Sequence, residues 1–247
     1  MRRRSVPLVA AALACSLATT TSPVPAGLNV LFVGNSLTYT NDLPGMLEAL
    51  IDSTAGGART IDAVTFPNFG LADHWVRGDA QRQIARGGWD VVIIQQGPSA
   101  TEGRASLIEY ARRYGDEARR VGARVALYMV WPSQARFFDF DGVSQSHTLA
   151  ADSADGLLFP VGEAWRAAWR RDSTLALYGP DGFHPSPMAT YLAALVIFEQ
   201  VTGTSPIGLP TSLSVHGSAS AVVALGPAVA RVLQEAAAEA NATFARL

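Results

Sequence analysis

A serine hydroxyl is a weak nucleophile until a base takes its proton, so a serine matters chemically only where a histidine can reach it. Ser36, in Val33-Gly34-Asn35-Ser36-Leu37-Thr38, stands where an apolar run ends. Four histidines could serve it: His74, His147, His184 and His216. His184 is set apart by its surroundings, the turn-rich Tyr178-Gly179-Pro180-Asp181-Gly182-Phe183-His184-Pro185-Ser186-Pro187, which leads into a long apolar segment. Asp181 lies three residues ahead of it. One loop can therefore project both side chains, the carboxylate orienting the imidazole while the other ring nitrogen faces Ser36. Each residue also has a plainer reading: Ser36 as a cap between strand and helix, His184 as a surface histidine, Asp181 as the Asx residue of a Pro-Asp-Gly turn. Their joint occurrence points to a serine-hydrolase type of site.

The elements that must position them follow from periodicity. Leu28 to Val33 is an apolar, β-branched run and predicts a buried strand ending just before Ser36. Asn41 or Asp42 can cap a helix starting near Leu43-Pro44. Thr60 to Phe66 predicts a second strand, and Asp73 to Arg86 a helix weakened by Gly78, with Trp75, Ala80 and Ile84 on one face. Trp89 to Gln95, with four consecutive β-branched residues, reads as a central parallel strand. A helix from Glu102 to Val121, a strand from Arg124 to Trp131 and a short fifth strand from Leu157 to Val161 follow. Between the last two, Ser133 to Gly156 reads as a loop or mobile helix beside a cleft. Helices are expected through Trp165 to Arg171, over Pro187 to Val201, and from Ala219 to Arg246 with an interruption at Gly226-Pro227. About five strand-helix alternations imply an α/β fold, a parallel sheet with helices on both faces. No linker divides residues 27–247, so they are expected to form one domain.

The spacing of the motifs resembles the SGNH (GDSL-type) hydrolase superfamily. Gly34-Asn35-Ser36-Leu37-Thr38 is similar to its first block, usually Gly-Asp-Ser-Leu, and Asp181-Gly182-Phe183-His184-Pro185 matches its last, Asp-x-x-His-Pro. The resemblance covers roughly residues 28–203 and implies a three-layer α/β/α flavodoxin-like fold with a five-stranded parallel sheet. It implies Ser36 as nucleophile, His184 as general base and then acid, and Asp181 as its orienting carboxylate. Gly70 resembles the glycine whose N–H serves the oxyanion. The third block, usually Gly-x-Asn-Asp, is replaced by Gln95-Gln96-Gly97-Pro98-Ser99. There the missing amide is expected from Gln95 or Gln96, with Gln95 preferred because it continues the strand; Ser99, aligned with the family's Asn by spacing, is a shorter donor. The implied activity is cofactor-free hydrolysis of carboxylic esters, of short-chain or acetyl type, through an acyl-enzyme. Activity should fall on the acid side, since a free imidazole takes up its proton near pH of about 6.5. Two other uses of the fold stay open, a noncatalytic carbohydrate-binding protein and an acyltransferase.

Composition excludes several classes. Half of the 247 residues are hydrophobic and 16% charged, which rules out a disordered chain. All 19 basic residues are arginine, with no basic stripe for nucleic acid. No Gly-x-Gly-x-x-Gly or Gly-Lys-Ser/Thr phosphate loop is present, and Thr38 departs from the Gly-x-Ser-x-Gly elbow of α/β-hydrolases. No His/Cys/Asp/Glu set has metal-ligand spacing, so neither metal nor cofactor is expected. The substrate partner is expected to be a small-molecule or glycan-linked ester. The oligomeric state is not legible. His74 reads as a partly buried histidine at a helix start. Trp131-Pro132 and Phe137-Phe138 read equally as an apolar wall for substrate or as packing.

Residues 1–26 run from Met1-Arg2-Arg3-Arg4 through apolar Val6 to Ala18 into a Thr/Ser/Pro stretch, the order of a secretory signal. The apolar part is too short for a comfortable membrane span. Export is therefore expected, with cleavage after Ala14, Ala18 or Ala26. Losing Arg2, Arg3 and Arg4 would take the net charge of −2 to about −5. Cys15 is the sole cysteine and precludes an intrachain disulfide; Ala12-Leu13-Ala14 before it is a poor lipoprotein signal, so a lipid anchor is the lesser reading.

Overall fold

Burial on both faces dictates the centre of the molecule. In the computed structural model, which describes residues 27–54, 59–215 and 222–244, strand β1 (Asn29–Gly34) is buried from its second residue to its last. It alternates Val30 and Phe32 into one layer with Leu31 and Val33 into the other. Strand β3 (Val91–Ile94) is wholly buried and lies beside it, Val33 opposite Ile94. Strands β2 (Thr60–Thr65), β4 (Arg124–Tyr128) and β5 (Leu157–Phe159) complete an all-parallel sheet of five strands in the order β2-β1-β3-β4-β5.

This order means that the chain leaves β1 toward β2 and then returns to the other side of β1 as β3. The carboxyl ends of β1 and β3 consequently diverge from their outgoing segments and leave a crevice, the place where open α/β sheets bind ligands. Ser36 follows β1 and Gln95-Gln96 follow β3, so both meet there.

One layer is built from α2 (Leu43–Asp52), α7 (Val161–Arg171), α8 (Pro187–Thr202) and α9 (Pro227–Phe244), which pack with Val30, Phe32, Ile93 and Tyr128. The other contains α3 (Leu71–Arg77), α4 (Asp79–Ile84), α5 (Arg104–Arg120) and α6 (Phe140–Ala154), packed with Leu31, Val33, Val92 and Leu127. Helix α8 is apolar nearly all round because it is covered on every side, with eleven residues buried. The expected three-layer α/β/α architecture with a five-stranded parallel sheet is the one observed.

Two local expectations are corrected and one is narrowed to its helical alternative. The helix expected over Asp73 to Arg86 is two helices, because Gly78 adopts φ 82°, a left-handed conformation that closes α3 and opens α4. The loop or mobile helix expected from Ser133 to Gly156 is a 3-10 helix (Gln134–Asp139) followed by the regular α6. Its buried stripe of Phe140, Val143, Ser146, His147, Ala150, Ala151 and Ala154 is helical in spacing but largely small or polar, which hid it from a hydrophobicity reading. The small residues allow close approach to α5: a Cβ on Gly115 would lie 2.6 Å from the Ala154 carbonyl oxygen. Finally, the described part of the C-terminal segment is not one interrupted helix. Strand β6 (Ser212–Leu213) pairs antiparallel with β7 (Val223–Ala224), and Pro227 starts α9, a position where a missing N–H costs nothing.

Among the described residues no helix is long and apolar enough to cross a membrane. The expected signal segment 1–26 with Cys15, and His216, lie outside the described residues.

Candidate active site

The segment that carries Ser36 is shaped by capping. Asn35, in extended conformation, accepts the Leu37 N–H through its side-chain oxygen at 3.0 Å and so starts a one-turn helix, α1 (Ser36–Tyr39). That leaves Ser36 at the first helical position, where its own backbone N–H has no partner within the helix. The Asn35 amide also donates to the Phe69 carbonyl at 2.8 Å, tying this turn to the loop after β2. Of the two cap candidates, Asp42 caps α2, through the Gly45 N–H at 3.1 Å. Asn41 does something else: its amide reaches the Pro185 carbonyl at 2.9 Å and Thr190 Oγ1 at 3.0 Å. It thereby locks the segment after Ser36 to the segment after His184.

The histidine loop is equally determined. Tyr178 and Pro185 form an isolated antiparallel bridge, the Gly179 N–H donates to the His184 carbonyl at 2.7 Å, and Gly182 takes φ 68° to close the turn. Asp181 Oδ1 accepts the N–H of Phe183 at 3.0 Å and of His184 at 2.9 Å, while Oδ2 meets His184 Nδ1 at 2.5 Å. Asp181 is thus both the turn former and the partner of the imidazole. From outside, Trp131 Nε1 donates to the Phe183 carbonyl at 3.0 Å and the Gln134 N–H to the Gly182 carbonyl at 2.8 Å. The result is that His184 Nε2 stands 2.8 Å from Ser36 Oγ across 148 residues of sequence.

The bond from His184, aided by the two backbone N–H groups, pushes the Asp181 carboxyl down to about 2. A carboxylate with a lowered pKa stabilises the fold above its unfolded value of 3.8 and loses that contribution as pH falls through about 2. Because Asp181 is open to solvent the contribution is small. The functional consequence is larger: the carboxylate stays ionised throughout the range in which an imidazole changes charge.

The two glutamines have different places. Gln95 is only 1% exposed, and its side-chain oxygen accepts the Asn35 N–H and the Thr38 hydroxyl, each at 2.9 Å. These contacts fix which end of the amide is oxygen, because the Asn35 N–H can only donate. They also explain the glycine of the first motif, since a Cβ on Gly34 would come 2.4 Å from Thr38 Oγ1 and 2.6 Å from Gln95 Oε1. Gln95 therefore underpins the nucleophile turn from below. Gln96 instead lines the cavity that holds Ser36, a space of about 330 Å³ bordered also by Asn35, Phe69, Gly70 and Phe183. Its oxygen accepts the Leu71 N–H at 3.1 Å, and its amide nitrogen lies 2.8 Å from Ser99 Oγ. Ser99, with φ 55°, acts as a support for Gln96 and turns its own hydroxyl to the Gly97 carbonyl at 2.9 Å. Gly70 borders the same cavity, but its N–H donates to Asp73 Oδ2 at 2.8 Å.

Replacing Gln95 with Leu should leave the buried Asn35 N–H unsatisfied and lower stability by about 1–3 kcal/mol. A urea denaturation curve checks this, and an unchanged midpoint would remove Gln95 from its structural role.

The other two histidines among the described residues, His74 and His147, do not reach Ser36. His74 is buried beneath the turn, with Nε2 2.8 Å from the Gly34 carbonyl and its ring against Phe69 and Phe66. Since a carbonyl only accepts, Nε2 carries the proton, and burial lowers the pKa of the ring. His147 is buried in α6, donates from Nδ1 to the Val143 carbonyl at 2.9 Å, and is driven by burial down to about 4. Sequence reasoning missed Asn41, Asp73, Trp131 and Gln134 as residues assembling the site. The one available signal was that two adjacent cap residues, Asn41 and Asp42, preceded a single helix.

No protein-family profile matches the sequence, and no curated protein matches it. Solved structures do. A protein from Slackia heliotrinireducens, provisionally assigned as an SGNH hydrolase, shares 26% identity with a TM-score of 0.58 over 70% of this chain and 98% of its own. A DUF4886 family protein from Bacteroides uniformis gives a TM-score of 0.67 at 17% identity, over 88% of this chain and 95% of its own. An acetylxylan esterase from Geobacillus stearothermophilus, in a catalytic mutant form, gives 0.54 at 16% identity, over 75% and 99%. The last two share the fold. The first, at 26% identity, supports a hydrolase. With the sheet order, the two motifs at its carboxyl edge and these matches taken together, the chain belongs to the SGNH-type hydrolase superfamily.

Proposed function

We propose that this protein is an exported serine esterase that cleaves short-chain, in particular acetyl, esters through an acyl-enzyme. The observation that carries the reading is the 2.8 Å approach of His184 Nε2 to Ser36 Oγ with Asp181 behind the ring. In the first half-reaction Nε2 takes the Ser36 proton as Oγ attacks the ester carbonyl, and then returns it to the leaving alcohol. In the second, His184 activates water against the acyl-Ser36 bond, and the carboxylic acid leaves with Ser36 regenerated.

The tetrahedral oxyanion is stabilised by the free Ser36 N–H, by the Gln96 amide once its second N–H turns from the long 3.4 Å bond to the Gly103 carbonyl, and by the Gly70 N–H once it is shared with or released by Asp73. Gln96 replaces the asparagine of the family pattern in this role, and Gln95 supports the turn. Apart from Phe69 and Phe183 the lining around Ser36 is small or polar, which suits a short acyl group. Export rests on residues 1–26.

The test is hydrolysis of 4-nitrophenyl acetate, butyrate and octanoate by the purified protein. The acetyl ester should give the highest kcat/KM; absence of hydrolysis of all three would overturn the reading. For Gln96→Ala, kcat should fall by about 10²–10³, the usual cost of one oxyanion donor. Equal kcat in Gln96→Ala and wild type would exclude Gln96 as that donor.

A further inference from the structure

Tyr178 and Gly179, which open the histidine loop, border a second cavity, of about 490 Å³, that shares no lining residue with the Ser36 cavity. Three aromatic residues, Phe137, Trp169 and Tyr178, line it, together with Leu175 and the uncharged polar side chains of Gln134 and Ser173. No lining residue carries a charge. The volume falls in the range of small-molecule sites.

These rings are held in place. Trp169 donates its indole N–H to the Leu175 carbonyl at 3.0 Å, and Tyr178 its hydroxyl to the Pro132 carbonyl at 2.7 Å. Trp169 stands edge-on to Trp165, which stacks on Trp131 at 3.8 Å in the core. Phe137 touches Trp169 at a centroid distance of 5.5 Å yet remains 53% exposed, on a 3-10 helix that buries none of its residues. An exposed ring beside two pinned rings is a platform built before any ligand arrives, so little ordering cost remains.

The occupant follows from chemistry. Aromatic faces carry negative charge density and attract weakly positive C–H groups. An uncharged polar rim selects hydroxyls over carboxylates, phosphates or ammonium groups. A pyranose ring has both features, a C–H face and a hydroxyl edge. We propose that this cavity is a binding subsite for a neutral sugar unit of a glycan, placed beside the site at which the glycan's ester is cleaved. The subsite adjoins the reaction centre through the chain itself: Gly179 and Tyr178 form one arm of the bridge whose other arm carries His184 and Pro185, and Gln134 is bonded to Gly182. The inference rests on the esterase reading only for the role of the bound glycan as substrate; binding itself needs no turnover.

The experiment is calorimetric titration of full-length Ser36→Ala with cellotetraose and xylotetraose. At least one tetrasaccharide should bind. Adding Phe137→Ala should weaken it roughly fivefold to tenfold, whereas Phe137→Tyr, which keeps the ring, should hold affinity near that of the parent. Because Phe137 is half exposed, neither change threatens the fold. Phe137-dependent binding supports the subsite even if the wild type hydrolyses no ester. Absence of binding by either sugar, or equal affinity in Phe137→Ala and its parent, overturns the subsite and leaves the esterase reading untouched.

Discussion

Ser36→Ala is expected to reduce hydrolysis of 4-nitrophenyl acetate by about 10⁴–10⁶ in kcat while leaving the thermal midpoint nearly unchanged. The size follows from what the hydroxyl does. Under the proposed mechanism no acyl-enzyme forms without Oγ, and the oxyanion donors and the pocket can only assist direct attack by water. The stability expectation follows from position: Ser36 is partly exposed, and the turn is held by Asn35, Gln95 and Thr38 through bonds that do not involve its hydroxyl. A fluorophosphonate probe offers an independent reading, since it should label the wild type once, at Ser36 by peptide mass, and leave the alanine variant unlabelled. Undiminished hydrolysis in Ser36→Ala would end the mechanism.

His184→Ala should cost a similar factor, because the hydroxyl and the imidazole act as one unit. The double variant Ser36→Ala/His184→Ala should then be no slower than either single one, the non-additivity expected of groups that share a step. Additive losses would mean that the two residues act separately, and would contradict the proton transfer between them. Asp181→Asn should lose less. Asn can still accept the Phe183 and His184 N–H bonds through its oxygen, so the loop survives, but the ionised partner of Nδ1 is gone. A loss of about 10²–10⁴ in kcat is expected, and steady-state kinetics of the three variants against one ester separates these cases.

Much of this was legible in the sequence where the governing physics is local. A run such as Val91–Ile94 can only be a doubly covered strand, and Asp181, Gly182 and His184 lie within one turn whose geometry is set by residues three apart. Ser36 and His184 could be paired from the sequence because two short motifs each carry their own turn chemistry. Helix α6 was not legible, since close packing there selects small and polar residues that carry little hydrophobic signal. Gly78 in sequence reads only as a weakness of a helix; its left-handed φ makes it a break.

What only the tertiary structure decided was which side chain faces which space. Adjacent residues at a strand end point to opposite sides, so of Gln95 and Gln96 one is buried under the nucleophile turn and one lines the cavity; sequence alone assigns neither side. The sheet order placed the ends of β1 and β3 together, and long-range bonds from Asn41, Trp131 and Gln134 set the distance between His184 and Ser36. Local sequence determined that a nucleophile turn and a histidine loop would exist, because caps and turns are made by near neighbours. Their meeting at 2.8 Å depends on contacts spanning more than a hundred residues, which no local pattern encodes.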